Sequence, residues 1–97
     1  MKNPANCTSI QEVRSIIDEI DFAIIELLSK RQKCVEEIVR FKNNQEEIVA
    51  EDRQKILFAQ RRVWAEQNKL SPDMIENVYK FLVEHNISKE LNLFNKR

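Results

Sequence analysis

The sequence predicts an all-α protein, and three observations point to that class. The 97 residues include no glycine and only two prolines, so the chain lacks the residues that β-rich domains use at tight turns. Apolar residues recur at three- and four-residue steps over long stretches, as along one face of an amphipathic helix. Helix-start signals precede two of these stretches. We therefore predict a single helical domain over residues 1–97, with three helices and a long first one.

The first predicted helix runs from about Ser9 to Asn43. Two overlapping capping-box patterns, over residues 8–11 and 9–12, mark its start. A helix of roughly 35 residues is about 52 Å long, whereas a compact chain of this size has a radius of gyration of about 13 Å. Its apolar stripe should extend beyond what the rest of the chain can cover. We therefore predict an intertwined, symmetric homodimer that buries this stripe.

Two shorter helices are predicted to follow. After a connection over residues 44–49 that carries no strong cap, the second helix spans about residues 50–68. The third begins at the Ser-Pro-Asp motif of residues 71–73 and runs over about residues 72–93. The connection follows Lys42, and it is interpreted either as a lid that excludes water from a site or as a mobile linker.

Composition and charge argue against several functions. The 16 basic residues balance 16 acidic ones, whereas salt-driven nucleic-acid binding needs a basic surplus. No apolar run approaches the ~20 residues that span a bilayer, so no membrane partner is expected. With one histidine, no glycine-rich loop and no metal-ligand spacing of its two cysteines, neither a metal nor a cofactor is expected. No export signal is recognised, so the cysteines are predicted to be reduced thiols in a cytoplasmic protein.

Charged side chains lie on the faces that the helices should bury. Arg14, Arg31 and Lys42 occupy the apolar seam of a heptad pattern on the first helix. Arg53 repeats this anomaly on the second helix, and Glu90 lies on the apolar line of the third. The charges either pair with acidic seam residues, or snorkel to the rim, or a dianionic ligand inside the helical dimer supplies the missing negative charge. Arginine binds carboxylates bidentately, which suits Arg14 and Arg31 to such a ligand.

Several short segments around these residues resemble a known family. They are Met1-Lys2 with Pro4 and Cys7-Thr8, Val13-Arg14, Ile17-Asp18, Ile20-Asp21, Lys30-Arg31, Arg40-Phe41-Lys42, Arg53, Trp64-Ala65-Glu66, and Asn68 with Leu70. Together they make the chain similar to the all-helical AroQ class of chorismate mutases. Within that class it is most similar to the isochorismate pyruvate lyases of salicylate-siderophore biosynthesis.

The resemblance implies an intertwined homodimer of three-helix chains with two equivalent sites and no cofactor. Each site would combine Arg14 of one chain with four residues of the other chain: Arg31, Lys42, Arg53 and Glu90. By this resemblance, Arg14 and Arg31 would grip the two carboxylates of the substrate. Lys42 would donate to the ether oxygen of the breaking C–O bond, and Arg53 would lie near the ring or its carboxylate.

Glu90 departs from the bacterial family pattern. Bacterial members usually carry glutamine there, which donates a second hydrogen bond to the ether oxygen, whereas some fungal members use glutamate. A carboxyl group donates only when it is protonated, so either Glu90 holds a proton or this interaction is absent. Asn86, one turn earlier, is either a contact to a ring hydroxyl or a polar surface residue.

Two functions of different classes follow. The favoured one is an enzyme that converts chorismate to prephenate, or isochorismate to salicylate plus pyruvate, or both. The M-K-x-P-x-x-C-T and W-A-E-x-N-x-L segments favour the lyase, and Glu90 weakens that inference. The alternative is a non-catalytic helical dimer that binds a dicarboxylate metabolite as a sensor or partner subunit.

Overall fold

A computed structural model describes residues 2–97, and Met1, part of the first family-like segment, lies outside them. Over this range the regular elements are helical and include no strand. The α-helices are α1 (Ile10–Ile38), α2 (Gln45–Val49), α3 (Glu51–Gln67) and α4 (Pro72–Asn95). Short 3-10 turns lie at Pro4–Asn6 and Val39–Phe41. The predicted all-α class, with three main helices of which the first is the longest, is confirmed.

Helix α1 begins at the second of the two predicted capping patterns. The Ser9 Oγ accepts a hydrogen bond from the Glu12 backbone N–H at 3.2 Å. The Glu12 carboxylate accepts from the Thr8 backbone N–H and from the Lys2 ammonium, each at 3.0 Å. These hydrogen bonds, that from the Thr8 backbone foremost, lower the pKa of Glu12. Local contacts therefore determine where the longest helix starts.

The end of α1 differs from the prediction. The helix stops at Ile38 instead of near Asn43, and the chain tightens into the 3-10 turn Val39–Phe41. The Lys42 N–H closes this turn on the Val39 carbonyl at 3.0 Å, and Lys42 itself is extended. A 3-10 turn keeps nearly helical spacing of its side chains, so the apolar pattern continues past the last α-helical residue. Lys42 thus lies outside the helix whose seam it was assigned to.

Residues 44–49 form a helical turn, so the prediction of a connection without a strong cap was wrong. The Asn44 Oδ1 accepts from the Glu47 backbone N–H at 2.9 Å. The Glu47 Oε2 accepts in turn from the Asn43 backbone N–H at 2.8 Å. The side chain of Ile48 is buried. This pattern is similar to a capping box, with the glutamate bonded to the residue before the cap instead of the cap itself. The segment is therefore a folded turn.

The two junctions that flank α3 use left-handed backbone without glycine. Ala50, at φ 47° and ψ 58°, ends α2 and precedes α3. Lys69, at φ 59°, follows the end of α3. There the Lys69 N–H bonds to the Glu66 carbonyl at 3.1 Å and the Leu70 N–H to the Ala65 carbonyl at 2.8 Å. These two bonds form a Schellman motif, in which glycine usually occupies the position of Lys69.

Helix α4 starts where the Ser-Pro-Asp motif predicted. The Ser71 Oγ accepts from the Met74 backbone N–H at 3.2 Å, and Pro72 occupies the first turn. Arg62 of α3 pairs with Asp73 of α4 at 2.9 Å. This ion pair joins the two helices at the closed end of their hairpin.

The chain divides into two compact units, which we name by position. The C-terminal unit is Val35–Arg97, and the N-terminal unit ends at Cys34. In the C-terminal unit, α4 packs against α3, α2 and the Val39–Phe41 turn. The buried apolar side chains of this unit are Val39, Ile48, Leu57, Ala65 and Val83.

The N-terminal unit leaves most of its apolar surface uncovered. Ile16 is buried. The side chains at four regularly spaced positions of α1 are between 38% and 48% exposed: Ile17, Ile20, Ile24 and Leu28. None of the helices formed by residues 2–97 combines the length and the apolar character that crossing a bilayer requires.

Candidate active site

Lys42 is held by its own segment. It is half-buried at the end of the 3-10 turn that packs against α4. Its Nζ donates to the backbone carbonyl of Glu47 at 2.7 Å. This charge-assisted hydrogen bond turns the ammonium back onto α2. A ligand that accepts a hydrogen bond from Lys42 must therefore compete with the Glu47 carbonyl.

Asn86 and Glu90 place polar groups in the interior of the C-terminal unit. They are 5% and 8% exposed, and they are the buried polar or charged residues of the described chain. A spacing of four residues puts them on one face of α4. The surface interpretation of Asn86 was therefore wrong. Burial of an amide and a carboxyl costs free energy unless each is hydrogen-bonded, and these two residues make this face of α4 polar within a mainly apolar interior.

Arg53 lies in the first turns of α3 and is exposed. It lines an open groove of about 730 Å³ between the end of α2 and the start of α3. Three carboxylates share this lining, those of Glu46, Glu51 and Asp52. They outnumber the single guanidinium, so the groove needs further cations from elsewhere to favour a dianion.

Arg14 and Arg31 belong to the N-terminal unit, where Arg14 is exposed and Arg31 half-buried. Both lie on α1. At about 1.5 Å per residue their positions are about 25 Å apart along the helix axis. That separation is too large for the two guanidiniums of one chain to bind the carboxylates of one small molecule. The structure does not bring these two arginines together within a chain.

The sequence analysis did not predict several contacts around Lys42. Arg97 donates to the Val39 carbonyl at 2.8 Å and to the Lys42 carbonyl at 2.9 Å. The capping pattern of Asn44 and Glu47 was visible in the sequence as a local spacing. Nothing local connects residue 97 with residue 42, so only the fold reveals that contact.

The described residues contain no group of three or more His, Cys, Asp or Glu side chains that could hold a metal ion. The candidate residues instead supply cations, an amide and a carboxyl group. Such groups can bind carboxylates and donate hydrogen bonds to ether and hydroxyl oxygens.

Comparison with known proteins agrees with this chemistry. Residues 13–91 match the family model described as Chorismate mutase type II. The chain belongs to the chorismate mutase type II family. It is 31% identical over 91 residues to the isochorismate pyruvate lyase of Pseudomonas aeruginosa, and the match covers 94% of this chain and 90% of that protein.

A second relative is a longer protein with two named activities. The chain is 34% identical over 85 residues to the bifunctional chorismate mutase/prephenate dehydratase of Buchnera aphidicola subsp. Schizaphis graminum. The match covers 86% of this chain but 22% of that relative. Membership of the chorismate mutase type II family identifies the chain as a chorismate-mutase-type enzyme with a small-molecule substrate. The family match includes all six candidate positions: Arg14, Arg31, Lys42, Arg53, Asn86 and Glu90.

Proposed function

We propose that the chain is a cofactor-independent pericyclic enzyme that acts on chorismate, isochorismate or both. In the mutase reaction the ether C–O bond of chorismate breaks and a new C–C bond gives prephenate. In the lyase reaction the ether bond of isochorismate breaks while a ring hydrogen moves to the enolpyruvyl carbon, which gives salicylate and pyruvate. Both reactions need a folded substrate and stabilisation of charge on the ether oxygen, and neither needs a nucleophile.

The buried pair Asn86 and Glu90 carries this proposal. The pair lies on α4, and the turn that ends in Lys42 packs against the same helix. A half-buried ammonium, a buried carboxyl and a buried amide on adjoining elements can meet the ether and ring oxygens of one substrate. We assign Lys42 and protonated Glu90 as donors to the ether oxygen, and Asn86 as a contact to the ring hydroxyl.

We further propose that the active enzyme is an intertwined homodimer in which residues 1–97 of each chain form one domain. The exposed apolar positions of α1 support this proposal, because a second copy would remove them from water. The distance between Arg14 and Arg31 supports it as well. Arg14 of the partner subunit would complete a site that contains Arg31, so that the two guanidiniums clamp the two carboxylates.

Arg53 would then supply a third cation near the ring or its carboxylate. The groove that Arg53 lines is rich in carboxylates, so the added arginines are what would make this region attractive to a dianion.

Cys7 and Cys34 are free thiols, which supports a cytoplasmic enzyme.

The lyase reaction is the favoured activity. The support is the similarity to the isochorismate pyruvate lyase of Pseudomonas aeruginosa, which extends over 94% of this chain. Glutamate at position 90 keeps the mutase reaction in consideration, since a protonated carboxyl and an amide both donate one hydrogen bond to the ether oxygen.

The decisive experiment incubates the purified protein with chorismate and with isochorismate in parallel. Prephenate, salicylate and pyruvate are quantified for the wild type, for Lys42→Ala and for the control Lys55→Ala, which alters an exposed lysine of α3. We expect product from at least one substrate, its loss in Lys42→Ala and its retention in Lys55→Ala. If the wild type forms none of the products yet binds a dicarboxylate metabolite, the chain is a sensor or partner subunit instead.

A further inference from the structure

The segment that ends in Lys42 is tied to the end of α4 by contacts that the proposed reaction does not use. Arg97 donates from its two terminal nitrogens to the carbonyls of Val39 and Lys42, at 2.8 and 2.9 Å. The same guanidinium lies 4.5 Å from the centroid of the Phe94 ring. On the other side of Lys42, the Gln45 Nε2 donates to the Asn95 Oδ1 at 3.2 Å.

These contacts act on the carbonyl end of the 3-10 turn. The Val39 carbonyl already accepts from the Lys42 N–H at 3.0 Å, and Arg97 adds a second, charged donor to it. Carbonyls at the end of a helical segment carry partial negative charge, so a cation is favourable there. A planar guanidinium with two donors also constrains the two carbonyls relative to each other, which a single ammonium does not do.

Arg97 bonds to the backbone from which the Lys42 side chain extends, whereas the Lys42 ammonium bonds to the Glu47 carbonyl. Lys42 is the extended residue that closes the turn, at φ −88° and ψ 135°. A rotation about these torsions would swing its ammonium away from the rest of the C-terminal unit. Stacking on the Phe94 ring restrains the Arg97 guanidinium, since arginine stacks well on aromatic faces.

We propose that Arg97 is a positioning residue for Lys42. It anchors the Val39–Phe41 turn and Lys42 to the end of α4, the helix that also carries Glu90, so that the Lys42 ammonium and the Glu90 carboxyl keep a defined separation. This role in catalysis rests on the proposed function of Lys42, whereas the anchoring of the turn is independent of any activity.

The first test measures the anchoring directly, by hydrogen exchange of the full chain followed by mass spectrometry. Arg97→Ala is compared with the wild type and with Lys96→Ala, which removes the same charge from the adjacent exposed residue. We expect amides of residues 39–47 to exchange about ten-fold faster or more in Arg97→Ala, and at the wild-type rate in Lys96→Ala. Equal exchange in the two variants overturns the proposal.

The second test measures the consequence for catalysis. A misplaced catalytic group costs up to about 100-fold in rate, so we expect kcat of Arg97→Ala to fall by about 10- to 100-fold with little change in KM. Arg97→Lys should recover part of the loss, because an ammonium can reach one of the two carbonyls. Unchanged kcat in Arg97→Ala contradicts the positioning role even where exchange increases.

A double-mutant cycle separates positioning from general damage. If Arg97 acts through Lys42, Arg97→Ala causes no further loss of kcat in a Lys42→Ala background. Fully additive losses overturn the proposal. If the wild type turns over neither substrate, the proposed function fails, and the hydrogen-exchange comparison still decides whether Arg97 anchors the turn.

Discussion

The N-terminal and C-terminal units differ in how they cover their apolar residues. In the C-terminal unit, α4 has three partners, so a small core forms around Leu57, Ala65 and Val83. The N-terminal unit has one α-helix among its described residues. Its Phe22, Ile25 and Leu27 are more than 60% exposed, in addition to the four partly exposed positions Ile17, Ile20, Ile24 and Leu28. An amphipathic helix is stabilised when its apolar face packs against another element. The helical hairpin of α3 and α4 closes its own core, whereas α1 leaves apolar side chains exposed that the proposed partner chain would cover.

The largest effect is expected from a charge on the exposed face of α1. Ile24→Asp should abolish the proposed dimer and much of the helical structure, since each of two symmetry-related side chains loses about 1.5–3 kcal/mol of burial. Sedimentation and circular dichroism measure the two effects. Ser29→Asp on the same helix adds the same charge at a polar position and serves as the control. A wild-type mass near 11.6 kDa would contradict the dimer outright.

Mixed dimers of two inactive variants would test whether Arg14 of one chain and Lys42 of the other complete one site. Arg14→Ala and Lys42→Ala should each lower kcat/KM by about 10²–10³-fold, the usual cost of losing one charge-stabilising donor. If the site combines Arg14 of one chain with Lys42 of the other, a co-refolded equal mixture contains mixed dimers with one intact site. Random pairing then restores about a quarter of the wild-type activity. No recovery in the mixture would place both residues in the same chain's site.

Glu90 gives a pH-dependent test within the C-terminal unit. If its protonated carboxyl donates to the ether oxygen, activity declines with rising pH as Glu90 loses that proton. Glu90→Gln keeps a donor at every pH, so its activity should be flat over the range in which the wild type declines. Glu90→Ala, which removes the donor altogether, is the control. Identical pH–rate profiles for the wild type and Glu90→Gln would be inconsistent with this role.

A smaller effect concerns the hairpin that closes the C-terminal core. Lys69 adopts a left-handed conformation that costs a non-glycine residue about 1–2 kcal/mol, and glycine offsets part of the gain through about 0.5–1 kcal/mol of backbone entropy. Lys69→Gly should therefore raise the free energy of unfolding by about 0.5–1 kcal/mol. Lys55→Gly in the middle of α3 should lower it by about 1 kcal/mol. Chemical denaturation of both variants tests the difference in sign.

The smallest effect is expected at the start of the N-terminal unit. Because hydrogen bonds lower the pKa of Glu12 below its ordinary value of 4.5, its contribution to stability is present above that value and is lost as the pH falls through the folded pKa. Glu12→Gln should lower the melting temperature slightly at neutral pH and not at all in strong acid. Glu19→Gln, a carboxylate further along α1, is the control. A difference that persists in strong acid would exclude an electrostatic origin.

Local signals in the sequence predicted the fold class and the helix starts well. The Ser9–Glu12 and Ser71–Met74 hydrogen bonds join residues three positions apart. Both partners therefore lie within one short segment of the sequence. The end of α1 was less predictable, since the apolar spacing runs on through the 3-10 turn at Val39–Phe41. The α2 turn was also missed, although its asparagine cap is a local signal.

The candidate site was predictable as a set of residue types and not as an arrangement. The anomaly of cations on apolar positions, with the family resemblance, singled out Arg14, Arg31, Lys42 and Arg53. That Arg14 and Arg53 are exposed in the single chain while Asn86 and Glu90 are buried depends on which helices pack together. In the proposed dimer, the second chain would bring Arg14 and Arg53 into one site.

The sequence alone determined an all-helical chain, the caps that start α1 and α4, and an apolar surface larger than one chain covers, because periodicity and capping involve residues within a few positions of one another. Only the tertiary structure decided that Lys42 ends a 3-10 turn, that Asn86 and Glu90 face inward, and that Arg97 binds the carbonyls of Val39 and Lys42. Contacts between residues more than fifty positions apart arise from the packing of α4 against the turn, and no local pattern encodes them.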